Sequence, residues 1–310
     1  MAETSRPHLH TWTEDHVFLG HGHAHAEGRT RFVVYLTAVF MVVEIAAGLL
    51  FGSMALLADG VHMATHVGAL GLALLAYWMA RRHARNPLFS FGSGKFGDLA
   101  AFASALILAL GAVGIGIESV MRFYAPVAIR YEEAIAVAAV GLAVNLASAA
   151  VLHRHPESVG PPAGHHDLNL RAAYLHVVAD AATSVLALAA LICGAIFGWA
   201  FLDPAVGVVA ALLIARWAFD LARQSALVLL DVEDDPSLAL DIRRTIESDT
   251  GARVADIHLW RLGPGHRGLI VSLVSPAVCS ADTVKETLRQ RYSGLSHVTI
   301  EVAVCSDCAA

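Results

Sequence analysis

Metal-ligating side chains recur four positions apart in two places. His62 and His66 are separated by Met63-Ala64-Thr65, and His176 and Asp180 by Val177-Val178-Ala179. Four residues make close to one helical turn, so each pair projects from a single helix face. Two such faces opposed would offer three imidazoles and one carboxylate. That donor set suits a borderline divalent ion such as Co²⁺, Ni²⁺ or Zn²⁺ better than Mg²⁺ or Ca²⁺, which take oxygen shells. Asp59 precedes His62 by three residues and shares its face, with three roles open: a further ligand, a group that orients the ligands, or a proton acceptor. Glu44 and Asn145 read as packing residues or as polar groups behind the ligands.

The elements that must position these residues are apolar and long. The chain has 310 residues, 56% hydrophobic and only 15% charged, with a mean hydropathy of +0.59. A soluble domain carries roughly 25% charged residues, so the composition argues against a soluble two-domain enzyme. With a net charge of −6 and no run of Lys or Arg, the chain lacks the electrostatic footprint of a nucleic-acid binder. A crossing helix needs about 20 apolar residues. Segments 32–51, 54–80, 99–121, 134–152, 172–197 and 205–228 meet or approach that, which predicts six transmembrane helices with both termini on one side. Arg29, Arg31, Arg81, Arg82, Arg85, Lys95, Arg154 and Arg171 flank that side against Arg122 and Arg130 opposite, so both termini are expected in the cytoplasm. Short connections at Gly52-Ser53 and 199–204 pair neighbouring helices antiparallel, and Ala101, Ala105, Gly111, Gly114 and Gly116 would let the third helix approach a partner closely. An ionisable group inside such a span is costly unless paired or hydrated, which makes each one a functional candidate.

The domains read as a His-rich tail over 1–30, a membrane domain over 31–230 with a His-containing loop at 153–171, and a C-terminal domain over 231–310. Acidic residues Asp231, Glu233, Asp234 and Asp235 with Pro236 mark the last boundary. Beyond it the order is helix, strand, strand, helix, strand. Ser237 and Ser280 are expected to cap helices that end before Gly251 and Gly294. Ile257 and Leu259, then Leu269, Val271 and Leu273, then Val298, Ile300, Val302 and Val304 alternate with the period of a strand, and Gly263-Pro264-Gly265 supplies a hairpin turn. About 70 residues give a marginal α+β unit that gains from dimerising.

Histidine is the second anomaly, at 17 residues against 4 Cys. His8, His10, His16, His21, His23 and His25 precede the first apolar segment, and His153, His155, His165, His166 and Asp167 crowd one loop; both read as metal-collecting tracts. The first 30 residues lack the pattern of a signal peptide. The four cysteines suggest no disulfide framework, and Cys305-x-x-Cys308 has thiolate-pair spacing that His258, Cys279, His297 or Glu301 could complete after folding.

Three ordered motifs carry a resemblance. Residues 52–60 (Gly-Ser-Met-Ala-Leu-Leu-Ala-Asp-Gly) with His62, residues 89–100 (Phe-Ser-Phe-Gly-Ser-Gly-Lys-Phe-Gly-Asp-Leu-Ala), and residues 173–180 (Ala-Tyr-Leu-His-Val-Val-Ala-Asp) are similar to the cation diffusion facilitator family over about residues 30–304. The resemblance implies a homodimer of six-helix protomers in a bacterial inner membrane, each with a ferredoxin-like, metallochaperone-like cytoplasmic domain. It also implies a secondary transporter, not an enzyme, with no resident cofactor, that exports a divalent cation in exchange for protons. The family's transport site falls on His62, His66, His176 and Asp180, and Lys95 is implied to pair with an acid among Asp231 to Asp235, Asp234 included, where the third and sixth helices meet the cytosol. The zinc-exporting branch usually has a carboxylate where this chain has His66. Val61-His62-Met63-Ala64-Thr65-His66 resembles the cobalt/nickel efflux branch instead, and the extra imidazole favours Co²⁺ and Ni²⁺ over harder ions. Three nitrogens and one oxygen also make an ordinary Zn²⁺ site, so zinc stays open, as do Cd²⁺ and Fe²⁺. A b-type haem between two axial histidines and a membrane metal sensor are the rivals; the haem accounts for neither the duplication nor Asp180.

Overall fold

The computed structural model describes residues 27–153, 166–276 and 279–305, without the side chains of 27–34, 36, 37, 65–67, 69, 70, 73, 147–153 and 166–181. Six long helices come first: α1 (Glu27–Phe51), α2 (Met54–Arg82), α3 (Phe96–Tyr124), α4 (Tyr131–His153), α5 (His166–Phe197) and α6 (Leu202–Leu229). They are followed by α7 (Pro236–Thr250), β1 (Arg253–Gly263), β2 (His266–Ser275), α8 (Ala281–Arg291) and β3 (Leu295–Val304). Each apolar segment read from the sequence falls inside one long helix. Among the described residues, α3 and α6 are long and apolar enough to cross a membrane, while the apolar stretches Ala38–Phe51, Met54–Ala64 and Ala182–Phe197 are shorter. On α3 and α6 many large apolar side chains point outward: Ile107, Leu110, Ile117, Leu212 and Phe219 are exposed while Ala105, Ala112, Ala211 and Ala218 are buried, with Ile115 and Ile214. In water such a face would be a liability; against lipid it is the low-energy arrangement.

The chain divides into two compact units, one uniting His23–Leu72 with Ala103–Ala222 and the other Ala73–Phe102 with Arg223–Ala310. In the first, α4 packs against α1 and α5. Contact between α1 and α2 is backbone to backbone. A Cβ on Gly48 would lie 2.7 Å from the Leu57 nitrogen, and one on Gly60 2.9 Å from the Ile45 nitrogen, so neither position accepts a larger residue without separating the helices. Of the small residues on α3, Ala105 is buried, Gly111 faces Val61, Gly116 faces Ala211, and Gly114 has nothing within 4 Å.

The start of α2 is fixed by a single carboxylate. The first amides of a helix have no partner inside it, and here Asp203 of α6 supplies one. Its Oδ2 accepts from the Met54 amide at 2.7 Å and its Oδ1 from the Ala55 amide at 3.1 Å. Ser53 Oγ donates to Asp203 Oδ1 at 2.5 Å and accepts from the Leu56 amide at 3.1 Å. Asp203 is 1% exposed, and the positive end of the helix dipole favours its charge. Nearby, Arg122 donates to the Gly52 carbonyl and Arg130 to that of Leu50 at 2.9 Å, closing the last turn of α1.

In the second unit the C-terminal elements follow the expected order. β1 pairs antiparallel with β2, and β2 parallel with β3. The alternating residues become cross-strand neighbours: Leu259 opposes Leu269, which opposes Val298, and Ile257 opposes Val271, which opposes Ile300. That face packs on Ile242 and Ile246 of α7 and Val284 and Leu288 of α8. The hairpin turn is Pro264-Gly265, with Gly265 at φ 78°, a conformation that favours glycine. One cap expectation is corrected. Asp235, not Ser237, caps α7: its carboxylate accepts from the Ser237 amide at 3.0 Å, and Pro236 occupies the first helical position, where its missing N–H costs nothing. Ser280 caps α8 as expected, and that helix ends before Gly294, at Arg291, with Tyr292 as its C-cap. The connector before α3 joins this unit through Phe91, which packs against Trp260 at 5.2 Å and His297 at 5.8 Å.

Replacing Asp203 with Ala strands two backbone amides and a hydroxyl in a dry interior, at about 1–3 kcal/mol each. We expect a clearly lower thermal unfolding midpoint for the D203A protein in detergent, with D203N intermediate because one acceptor oxygen remains. An unchanged midpoint would mean that this cap does not hold α2.

Candidate metal site

From its capped end, α2 carries Asp59 and His62 to the interior of the first unit, where they are 7% and 4% exposed. Both are ionisable or metal-binding, and both sit on the helix face turned towards α5 and α6. Ser184 of α5 donates to Asp59 Oδ2 at 2.7 Å, and Asn145 Nδ2 of α4 reaches the same Ser184 Oγ at 3.3 Å. A relay of hydrogen bonds thus runs from α4 through α5 to α2. Asp59 and His62 line a cavity of about 20 Å³ with Thr183 and Trp217, room for one water or one ion; the rest of the lining is apolar, from Ala55 and Ala58 to Leu213 and Ile214. The His62 ring lies against the indole of Trp217, with centroids 5.1 Å apart and planes tilted by 36°.

Glu44 of α1 is fully buried, and neither of its carboxyl oxygens has a hydrogen-bond partner among the described residues. A Cβ on Gly141 of α4 would fall 2.1 Å from Glu44 Oε1, so the carboxyl occupies room that only glycine leaves.

His66 lies on α2 one turn beyond His62, and His176 and Asp180 lie one turn apart on α5, but the side chains of all three lie outside the described residues. No cluster of three or more metal-binding side chains occurs among the described residues. The tail histidines, His21, His23 and His25 included, lie outside the description, as do His165, Cys308 and the side chain of His166. His258 is exposed on β1, 2.8 Å from Asp256. Cys305 is disulfide-bonded. The sequence suggested a thiolate there; a sulfur in a disulfide has no thiolate lone pair to give until it is reduced. Lys95 pairs with Asp231 of its own chain. Asp234 lies elsewhere, 3.3 Å from Arg267, which also holds Glu233 at 3.1 Å.

A comparison with protein families matches residues 31–230 to the cation efflux transmembrane domain. The chain belongs to the cation diffusion facilitator family. It is 36% identical to a zinc transporter, ZitB, of Pectobacterium atrosepticum over 92% of this chain and 89% of that protein. With the metal cation efflux system protein CzcD of Cupriavidus metallidurans it shares 33% over 92% and 91%, and with a cadmium, cobalt and zinc/H(+)-K(+) antiporter of Bacillus subtilis 30% over 91% of each. As a member of this family the protein is an integral membrane cation exporter, and the cation is its substrate.

Spacing did not point to several residues that shape this exporter's cavity. Ser184 follows Asp180 by four positions and His176 by eight, so it extends the same helix face, and that periodicity was the available signal. Trp217 and Thr183 carry no such signal, because an indole on an apolar helix reads as packing. Carboxylates that orient or neutralise a metal site are sensitive to their own partners. Ser184→Ala removes the hydroxyl that Asp59 accepts from, and we expect the half-saturating cation concentration for transport to rise roughly tenfold, with Ser184→Thr close to the parent. Equal values for S184A and the parent in reconstituted vesicles would detach Ser184 from the site.

Proposed function

We propose that this protein exports divalent transition-metal cations, with Co²⁺ and Ni²⁺ preferred, in exchange for protons, by alternating access across six transmembrane helices. The observation that carries the reading is the buried Asp59 and His62 on one face of α2, lining an ion-sized cavity whose remaining walls are almost entirely apolar. An apolar interior tolerates such groups where a cation or proton compensates them. His62 and His66 on α2 with His176 and Asp180 on α5 are the four ligands, and Asp59, Glu44 and Asn145 are polar groups behind them, orienting ligands or linked to protons.

Imidazole binds a metal only when neutral, and its ordinary pKa lies near 6.5. Protons arriving from outside therefore compete for the same nitrogens and release the ion on that side. In this reading the protein is a homodimer in a bacterial inner membrane, with both termini cytoplasmic, a ferredoxin-like C-terminal domain over 231–310 and membrane domain over 31–230. The His tracts collect metal, and the Lys95–Asp231 pair belongs to the junction of the helices with the cytosol. The names of the zinc and of the cadmium, cobalt and zinc relatives favour a second reading, in which Zn²⁺ or Cd²⁺ is the principal cargo.

Purified protein in vesicles with an imposed pH gradient separates these readings. We expect Co²⁺, Ni²⁺ and Zn²⁺ flux that stops when the gradient is collapsed, no flux for His176→Ala or Asp180→Ala, and a shift of the Co²⁺/Zn²⁺ ratio towards zinc for His66→Asp. Metal flux indifferent to the gradient would remove proton exchange from the account. Binding that saturates without flux would make the protein a sensor.

A further inference from the structure

Ligand spacing along a helix aims Cβ atoms but not imidazole planes. The last torsion of a histidine side chain is broad and nearly two-fold, so one-turn spacing alone does not set the plane of the His62 ring. Something else must set it. Among the residues lining the cavity, α6 contributes Val206, Val209, Ala210, Leu213, Ile214 and Trp217, five aliphatic side chains and one indole. That indole lies against His62, with ring centroids 5.1 Å apart and planes tilted by 36°, inside the 4.5–7 Å range of interacting aromatic pairs. Trp217 itself is half-buried.

We infer that Trp217 is a positioning residue for transport: its indole packs against His62, holds the imidazole in the plane that serves the cation, and walls the cavity on the α6 side. The inference deepens the proposed site and rests on His62 being a ligand. A wall of this kind acts before the cation arrives. By restricting the ring beforehand it spares the ordering cost of fixing a side chain on binding, so its loss weakens capture and leaves the passage of bound ions largely alone. A residue that merely filled space would instead depress folded yield and maximal rate together.

The test uses the full-length protein in vesicles, with Co²⁺ as the transported probe, and compares Trp217→Met, Trp217→Phe and the parent. Methionine keeps apolar reach and discards the ring. We expect W217M to raise the half-saturating Co²⁺ concentration about three- to tenfold with the maximal rate within about twofold, and W217F to recover most of the loss because a phenyl ring also makes an aromatic pair. A parallel measurement does not depend on transport. Ni²⁺ quenches nearby tryptophan, and the chain has five tryptophans, so the emission lost by the parent minus that lost by W217F isolates position 217. We expect a saturable difference that disappears in His62→Ala. If the difference is present but W217M and the parent share one half-saturating concentration, the positioning role is overturned and the site stands. If Ni²⁺ quenches the parent and W217F alike, no ion sits beside His62, and both the inference and the proposed site fall. Should W217M not assemble, W217F decides through the same two readouts: a maximal rate that falls while the half-saturating concentration stays fixed overturns the inference.

Discussion

A carboxylate and an imidazole cannot rest in an apolar interior without something to compensate them, and most of this structure serves that constraint. Asp59 and His62 are almost entirely removed from solvent on α2. Asp59 accepts from Ser184, which Asn145 also reaches, and beside both residues lies a space the size of one ion. Transfer of an unpaired charge into such surroundings costs several kcal/mol or more. In the proposed cycle part of the compensation is supplied from outside, by a cation in one half and by protons in the other. A soluble core would have solved the same problem with a fixed counter-charge, which leaves nothing to exchange.

The supporting features place α2 rather than decorate it. Gly48 and Gly60 bring α1 and α2 into backbone contact, and Asp203 pins the first turn of α2 to α6 through three hydrogen bonds. The position of His62 is thus set from its own helix, from the helix before it and from the last long helix, while α5 reaches the cavity through Thr183 and Asp59 through Ser184. Preorganisation of this kind matters more for a transporter than for a storage site. The ligands must be ready when the ion arrives yet must not hold it so tightly that protons cannot displace it, and imidazole, neutral or charged within the physiological pH range, meets both demands.

Much of this was legible in the sequence because hydropathy and period are local properties. The six apolar segments became six helices, and the alternating residues of the tail, apart from the exposed Val304, joined one sheet face packed in the core, since burial forces both patterns. The one-turn spacing of His62 and His66 pointed to α2, where His62 is buried beside the cavity, while the side chains of His66, His176 and Asp180 lie outside the described residues. What was not legible depends on partners far away in the chain. Asp203 looks like a helix-start acid and is the cap of a different helix. Trp217 looks like packing and lies on an imidazole. Asp235 and Ser237 are both competent caps, and the choice fell to the residue that leaves Pro236 at the first helical position. Cys305 looks like half of a thiolate pair and is disulfide-bonded, a matter of redox chemistry that spacing does not encode.

The central claim is that one divalent ion is held by three imidazoles and a carboxylate drawn from α2 and α5. X-ray absorption at the cobalt edge tests it most directly, on protein lacking residues 8–25 and loaded with one Co²⁺ per chain. The account predicts a first shell of four nitrogen and oxygen atoms at about 2.0–2.1 Å, with the outer-shell signature of three imidazoles, reduced to two in His62→Ala. A six-coordinate oxygen shell, a sulfur ligand, or a spectrum unchanged by that substitution would contradict it.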